Sequence, residues 1–393
     1  MRAIVTGQIG MDKKPYLKAV AEMAGQQGEA GVKIYNIGDM MYAEAKDVRP
    51  GRILDLPISR LNSLRRAAFK DAITEADGHE NVLVNTHATF RWRHGLFSAF
   101  DFDQVAALRP DIFVCLVDNI EVVHHRLHRD FDVDATLKDC MVWREEEILA
   151  TEILSQAMPG SRFYIVSRGR HTPTVRTMFR LLCRPKMKKV YPSFPMSHVV
   201  DMPDVLKEID DFRAELAEHF ITFDPGDVDE KLLLDRAVAK AREGKVDEWL
   251  EVAPHAFGGS LGTPPVPGGP AGDRRGTPLR VRVREVLDIA GDIDGQIYMR
   301  DFKLIDQSDM IVSLVPELPG EGGKSIPGLS SGVERELQHA WEHTKEVYVV
   351  WKPRKSPSPF ITETATKIFS SVPEAMAYFE SKGMFGEKNL FGH

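Results

Sequence analysis

The chain has 393 residues, 43% of them hydrophobic and 28% charged, with 51 basic against 58 acidic side chains and a net charge of −7. That length predicts two domains of a globular chain, and the charge balance leaves no whole-chain footprint for nucleic acid. Three scattered cysteines (Cys115, Cys140, Cys183) exclude a disulfide framework and fit a reducing cytoplasm; the apolar stretch in MRAIVTGQIG is too short for a secretory signal and no run reaches membrane-span length, so neither is expected.

Apolar runs of strand length stand at Arg2–Thr6, Val32–Asn36, Asn81–Asn85, Ile112–Val117 and Phe163–Val166. Helical patterns separate them, at Pro15–Gln26, Ser59–Ala76 and Ile120–Arg129. Strands alternating with helices predict a parallel α/β sheet, which closes near Arg184-Pro185. A second start follows the basic run at 186–189, with a strand at Val190–Phe194 and helices over Met202–His219 and Asp229–Glu243. Between Gly258 and Pro278, 12 of 21 residues are glycine or proline, too many to pack a core. The segment, at about 254–278, reads as an insertion, because helix Phe302–Gln307, strand Met310–Val315, helix Val333–His343 and strand Val347–Trp351 complete the later sheet. The expectation is two parallel-sheet α/β domains, residues 1–185 and 186–393.

After the first strand comes Gly7-Gln-Ile-Gly10-Met-Asp12-Lys13-Lys14. Gly7 and Lys13 stand at phosphate-loop spacing, in which backbone N–H groups cradle phosphates at a helix N-terminus. Asp12 occupies the place of the second glycine, and Lys14 that of the hydroxyl that ligates magnesium. A carboxylate there repels phosphate, and the lost hydroxyl removes a metal ligand. Together with Asn36–Met41, Asn81–His87, Arg109–Leu116 and the arginine-bearing segment of Arg126 and Arg129, this loop resembles the archaeal-type adenylate kinases over roughly residues 1–180. Asn85 stands where that family has an acidic residue, a further lost magnesium contact. The resemblance implies a P-loop kinase-like domain holding ATP, ADP or AMP through Gly7, Gly10, Lys13, Arg126 and Arg129, with weak magnesium dependence. His124 and His128 lie i,i+4 on a helix without a third ligand at zincin spacing, so no metal site is expected.

In the later half, Asp301 precedes Asp309 by eight residues, and Ser330-Ser331-Gly332-Val-Glu334-Arg-Glu336 opens a helix. Ser331 with Glu334 fits a capping box. Glu334 and Glu336 flank the apolar face of Val333, Leu337, Ala340 and Trp341, one on each side, and periodicity does not choose between them. With Val190-Tyr191, these segments resemble the nucleoside 2-deoxyribosyltransferase superfamily over about 187–393, a Rossmann-like fold. The resemblance implies Glu336 as the nucleophile at the anomeric carbon, Asp301 as a sugar- or base-contacting acid, and Tyr191 as the aromatic that positions the glutamate. It implies Ser330, Ser331, Gly332 and Asp309 as substrate-binding residues, no cofactor, and a homo-oligomer. Transferases carry an aspartate at Ser330, whereas the branch that hydrolyses deoxynucleoside 5′-monophosphates has serine followed by Gly-Val, as here. Phe194 stands where the family has glycine.

The leading expectation is therefore an enzyme that cleaves or transfers the N-glycosidic bond of a (deoxy)nucleoside 5′-monophosphate, a small-molecule ligand, beside a nucleotide-binding N-terminal domain. A nucleotide sensor without chemistry and a nucleoside monophosphate kinase are the alternatives.

Overall fold

Five apolar runs pair side by side in the computed structural model as β1 (Arg2–Thr6), β2 (Val32–Asn36), β3 (Asn81–Asn85), β4 (Ile112–Val117) and β5 (Arg162–Ser167). The structure describes residues 1–49, 51–92, 95–131, 133–168, 172–196, 199–252, 279–320 and 325–385. All four pairings are parallel, in the order β2-β3-β1-β4-β5. Every residue of β3 and β4 is buried, which is why neither run alternates between apolar and polar. Each fully buried Val, Ile or Phe there contributes roughly 1.5–3 kcal/mol.

The helices that matter for the first site are α1 (Lys13–Gln26), α2 (Ile58–Ala76), α3 (Ile120–Phe131), α4 (Leu137–Gln156) and α5 (Thr172–Cys183). Helix α1 starts two residues before the expected Pro15: Asp12 stands at its N-terminal boundary in the left-handed region, without a side-chain cap bond, and Lys13 and Lys14 open the first turn. A capping box starts α4: the Thr136 hydroxyl accepts from the Asp139 N–H at 3.1 Å, and the Asp139 carboxylate accepts from the Thr136 N–H at 2.9 Å. The antiparallel pair Thr89–Trp92 and Gly95–Ser98 was not legible in the sequence. Each strand has only four residues and no flanking turn pair of the Asn-Gly type.

The second sheet contains β6 (Lys189–Ser193), β7 (Ile221–Thr222), β8 (Met310–Val315), β9 (Glu346–Trp351) and β10 (Lys367–Phe369). It too is parallel throughout, in the order β10-β9-β8-β6-β7. Around it lie α6 (Pro203–His219), α7 (Ala290–Asp306), α8 (Ser331–Glu342) and α9 (Val372–Ser381). Its core joins Val190, Phe194, Phe212, Phe220, Val312 and Phe379.

By compactness the chain divides into two units. One holds residues 1–183 with the described stretches 233–252 and 279–292; the other holds 184–232 with 293–385. The antiparallel pair Trp249–Val252 and Leu279–Arg282 belongs to the first. The Gly/Pro-rich segment 254–278 lies outside the described residues. Among the described residues, no helix is long and apolar enough to cross a membrane.

Candidate functional site

Between β1 and α1 the backbone must turn sharply against the neighbouring strand. Gly7 has φ +140°, and a Cβ there would lie 2.7 Å from the Leu116 carbonyl oxygen, so only glycine fits. Gly10 also has positive φ, at +84°. Asp12 stands at φ +49° and ψ +46°, a conformation that costs a residue with a Cβ on the order of 1 kcal/mol. The loop therefore keeps the backbone course that a second glycine would give, with a carboxylate mounted on it.

That carboxylate is answered by arginines. Arg126 Nε lies 3.5 Å from Asp12, while its Nη1 bonds Asp118 at 2.9 Å and the Gly10 carbonyl at 3.3 Å. Arg168 approaches Asp12 and Asp118 at 4.0 Å each, and burial lowers its pKa to about 10. Lys13 folds back on its own loop, donating to the Gly7 carbonyl at 2.6 Å, with both ring nitrogens of His87 at 3.4 Å. Burial pulls its pKa down to about 8, although the Glu147 charge opposes that shift.

Glu147, from the middle of α4, is the hub of this region. Its carboxylate accepts the N–H groups of Gly7 (3.2 Å), Ala88 (2.8 Å) and Thr89 (2.9 Å), and the Thr89 hydroxyl at 2.6 Å. Burial alone would raise its pKa; hydrogen bonds from His87 and Thr89, with the charges of His87 and Lys13, outweigh that and hold it at about 2. Lys14 pairs with Asp39 at the surface, and Asn85 donates to Asn36 at 2.8 Å. Arg129 lies on α3, and its side chain is outside the described residues.

At the second sheet, strand alternation sends Tyr191 and Ser193 to one face. The Tyr191 hydroxyl donates to Glu336 Oε1 at 3.0 Å and the Ser193 hydroxyl to Oε2 at 2.6 Å. Both hydroxyl-bearing residues are fully buried, at 0% exposure. Burial raises the Glu336 pKa above the usual carboxylate range, and the two hydroxyls hold part of that rise back. Asp301 is pushed up much further, by burial and then by the negative charges of Glu336, Asp229 and Glu230, against the opposing pull of Arg300. Its Oδ1 is buried and has no hydrogen-bond partner among the described residues. Ser313 Oγ, on the strand residue in register with Ser193, is likewise buried without one. The Tyr191 hydroxyl stays well above its ordinary pKa through burial and the charges of Asp301 and Glu336, so it remains a donor.

The structure thus brings Tyr191, Asp301 and Glu336 together, and adds Ser193, which the sequence reading missed. Its signal was the i,i+2 spacing from Tyr191. Asp309 is not with them. It precedes β8, where it accepts from the Lys189 N–H at 2.8 Å, whereas Ser193 ends β6, so the two stand at opposite ends of adjacent parallel strands. The capping box of Ser331 and Glu334 is also corrected: Ser330 is the cap, its hydroxyl accepting from the Val333 N–H at 3.2 Å. Ser331 and Gly332 form the exposed first turn of α8, and Glu334 is exposed. Phe194 is buried in the core, with the Arg213 guanidinium 5.3 Å from its ring centre. His124 and His128 bond each other at 3.0 Å, and burial followed by the neighbouring His128 lowers the His124 pKa to about 4.

Comparison with known proteins bears on the first sheet. A family model described as an AAA domain matches residues 6–139. An adenylate kinase of Pyrococcus furiosus is 28% identical over 165 residues, covering 39% of this chain and 79% of that protein. One from Pyrococcus horikoshii is 26% identical over 163 residues, with the same coverage. The solved shikimate kinase of Bacteroides thetaiotaomicron aligns with 46% of this chain and 95% of its own, at 13% identity and a TM-score of 0.31. The N-terminal region of this chain is a parallel-sheet α/β domain of the P-loop kinase-like kind.

Proposed function

We propose that the C-terminal unit breaks the N-glycosidic bond of a (deoxy)nucleoside 5′-monophosphate, with Glu336 as nucleophile. One observation carries the reading: a carboxylate gripped on both oxygens by hydroxyls, beside a second carboxyl with a bare buried oxygen. Two carboxyl groups whose environments drive them apart divide the acid and base roles between them. In this reading Glu336, held by two donors, reacts as the carboxylate, and Asp301, whose pKa burial pushes up, serves as the protonated acid. In the step proposed, the Glu336 carboxylate forms a bond to C1′ as the bond from C1′ to the base nitrogen breaks. The electron pair leaves with the base, which takes the Asp301 proton. Water or a second base then attacks C1′, gives its proton back to Asp301 and frees Glu336.

The likeness to adenylate kinases supports a second component, adenine-nucleotide binding by the N-terminal domain, and keeps nucleoside monophosphate kinase activity as an alternative. Against phosphoryl transfer stand Asp12 on the loop, Lys14 at the magnesium hydroxyl's place and Asn85 at the end of β3. The test is incubation with a panel of nucleoside 5′-monophosphates, with free base resolved by chromatography. Base release is the expected result. Conversion of ATP and a monophosphate to diphosphates without base release would favour the kinase, and binding without either product the sensor.

A further inference from the structure

The helices that carry Asp301 and Glu336 meet again one turn further on. Asp306 ends α7, His339 lies in the last turn of α8, and His343 caps that helix. One ligand atom from each of the three residues lies within 4.8 Å of the other two, and His339 Nε2 stands 2.8 Å from Asp306 Oδ1. His339 and His343, four residues apart, share a helix face, and their rings lie 4.0 Å apart.

Two details show that these side chains are held as ligands are held. His343 Nδ1 sits 2.8 Å from the His339 carbonyl oxygen, which fixes the proton on Nδ1 and leaves the Nε2 lone pair open. The His339 ring is clamped flat against Phe302 at 4.3 Å and 21°. Lys345 donates its ammonium to the carbonyl oxygens of Asp306 and Ser308, at 2.7 Å each, rather than to the Asp306 carboxylate.

From this geometry we infer that Asp306, His339 and His343 form a site for a borderline divalent cation of the zinc class. Two imidazoles and one carboxylate are a donor set suited to Zn²⁺ rather than to Mg²⁺ or Ca²⁺, which take oxygen ligands. Three protein ligands leave a fourth position to water. Ligand atoms around a tetrahedral ion with bonds of about 2.0–2.1 Å stand roughly 3.3 Å apart, so the Asp306–His339 contact opens by about half an ångström when the ion replaces the shared proton. Glu342, beside His343, accepts from Gln338 at 2.8 Å, so the site is assigned binding and no hydrolysis. An ion there staples α7 to α8, the helices that carry Asp301 and Glu336. The expectation of no metal site weighed only His124 and His128, which share the i,i+4 spacing; the carboxylate that completes the other pair comes from a different helix.

The test uses the full chain and the metal alone. Co²⁺ titration, followed by visible d–d absorption, is expected to saturate at one equivalent with the strong bands of a four-coordinate ion, and Zn²⁺ to displace it. Zn²⁺ is expected to raise the thermal midpoint of the parent protein. His343→Gln, at an exposed position, should weaken Co²⁺ affinity at least tenfold with the metal-free midpoint unchanged, and Asp306→Asn should weaken it similarly. His124→Gln should leave the titration as it was. Absence of the d–d bands, or the same bands and affinity in a His339→Gln/His343→Gln double variant, would overturn the site.

Discussion

Lys13, Arg126 and Arg168 at the carboxyl end of the first sheet sit against Glu147, Asp12 and Asp118, whereas at the second Glu336 faces two hydroxyls and Asp301 has a buried oxygen without a partner among the described residues. The consequence shows in the ionisation of the buried carboxylates. Glu147, ringed by N–H donors and cations, is held at about 2, while Glu336 and Asp301 are displaced upward. A carboxylate whose charge is answered by donors and cations suits fixed architecture; a buried one whose pKa is displaced upward is a candidate for bond-making or proton transfer. The cations of the first region are met by internal ion pairs, and the proposal places the chemistry at the second.

The sharpest way to break that contrast is to remove the charge from Glu336. Glu336→Gln keeps the volume, and one hydroxyl can turn to accept from the new amide N–H while the other still donates, so the fold should persist, while base release falls by roughly 10³-fold or more. Asp301→Asn should cost roughly 10²-fold, and the two should differ in pH profile. Activity in the parent falls on the acid side as pH drops through the raised pKa of Glu336, which must be ionised. It falls on the basic side as pH rises through the raised pKa of Asp301, which must be protonated. Asp301→Asn should lose the basic limb and keep the acid one. A basic limb that survives in this variant would take the proton-donor role away from Asp301.

These roles were legible to very different degrees. The strands were readable because parallel, doubly covered sheets write themselves as unbroken apolar runs, as in Ile112–Val117. Glu336 was separable from Glu334 only through the family resemblance, because both flank the apolar face of α8 and the decisive fact is which one meets Tyr191. Glu147 carried no signal at all. It lies 140 positions from Gly7, inside a run of three glutamates on a long helix, and only the fold reveals which of the three turns inward. Asp309 was misplaced for a reason the sequence did contain: a residue just before a parallel strand lies at the opposite strand end from one that closes its neighbour.

The contrast is sharpened from the other side by Asp12→Gly with Lys14→Thr. Glycine takes the left-handed conformation at position 12 without the cost on the order of 1 kcal/mol that aspartate bears. Arg126 keeps its bond to Asp118, so its charge stays paired, yet neither it nor Arg168 is drawn to Asp12 any longer. Affinity for ATP should tighten about tenfold, equivalent to about 1.4 kcal/mol, and become magnesium-dependent. Calorimetric titration measures both. Unchanged affinity would mean that Glu147 and the Lys13 contact, rather than Asp12, keep phosphate out.

The smallest expected effect isolates Ser330, whose hydroxyl is already engaged as the cap of α8. Ser330→Ala should cost about 1 kcal/mol of stability through the loss of that bond to the Val333 N–H. Ser330→Asp should not, because aspartate caps as well as serine and its charge suits the helix N-terminus. The same aspartate would meet an incoming 5′-phosphate with a like charge. The pair therefore separates the structural from the recognition role: Ser330→Ala should move the thermal midpoint and leave the preference for monophosphate over nucleoside nearly intact. Ser330→Asp should hold the midpoint and raise KM for the monophosphate several-fold while sparing the nucleoside. Equal KM changes for both substrates would place the phosphate elsewhere and reduce Ser330 to the cap that the structure shows.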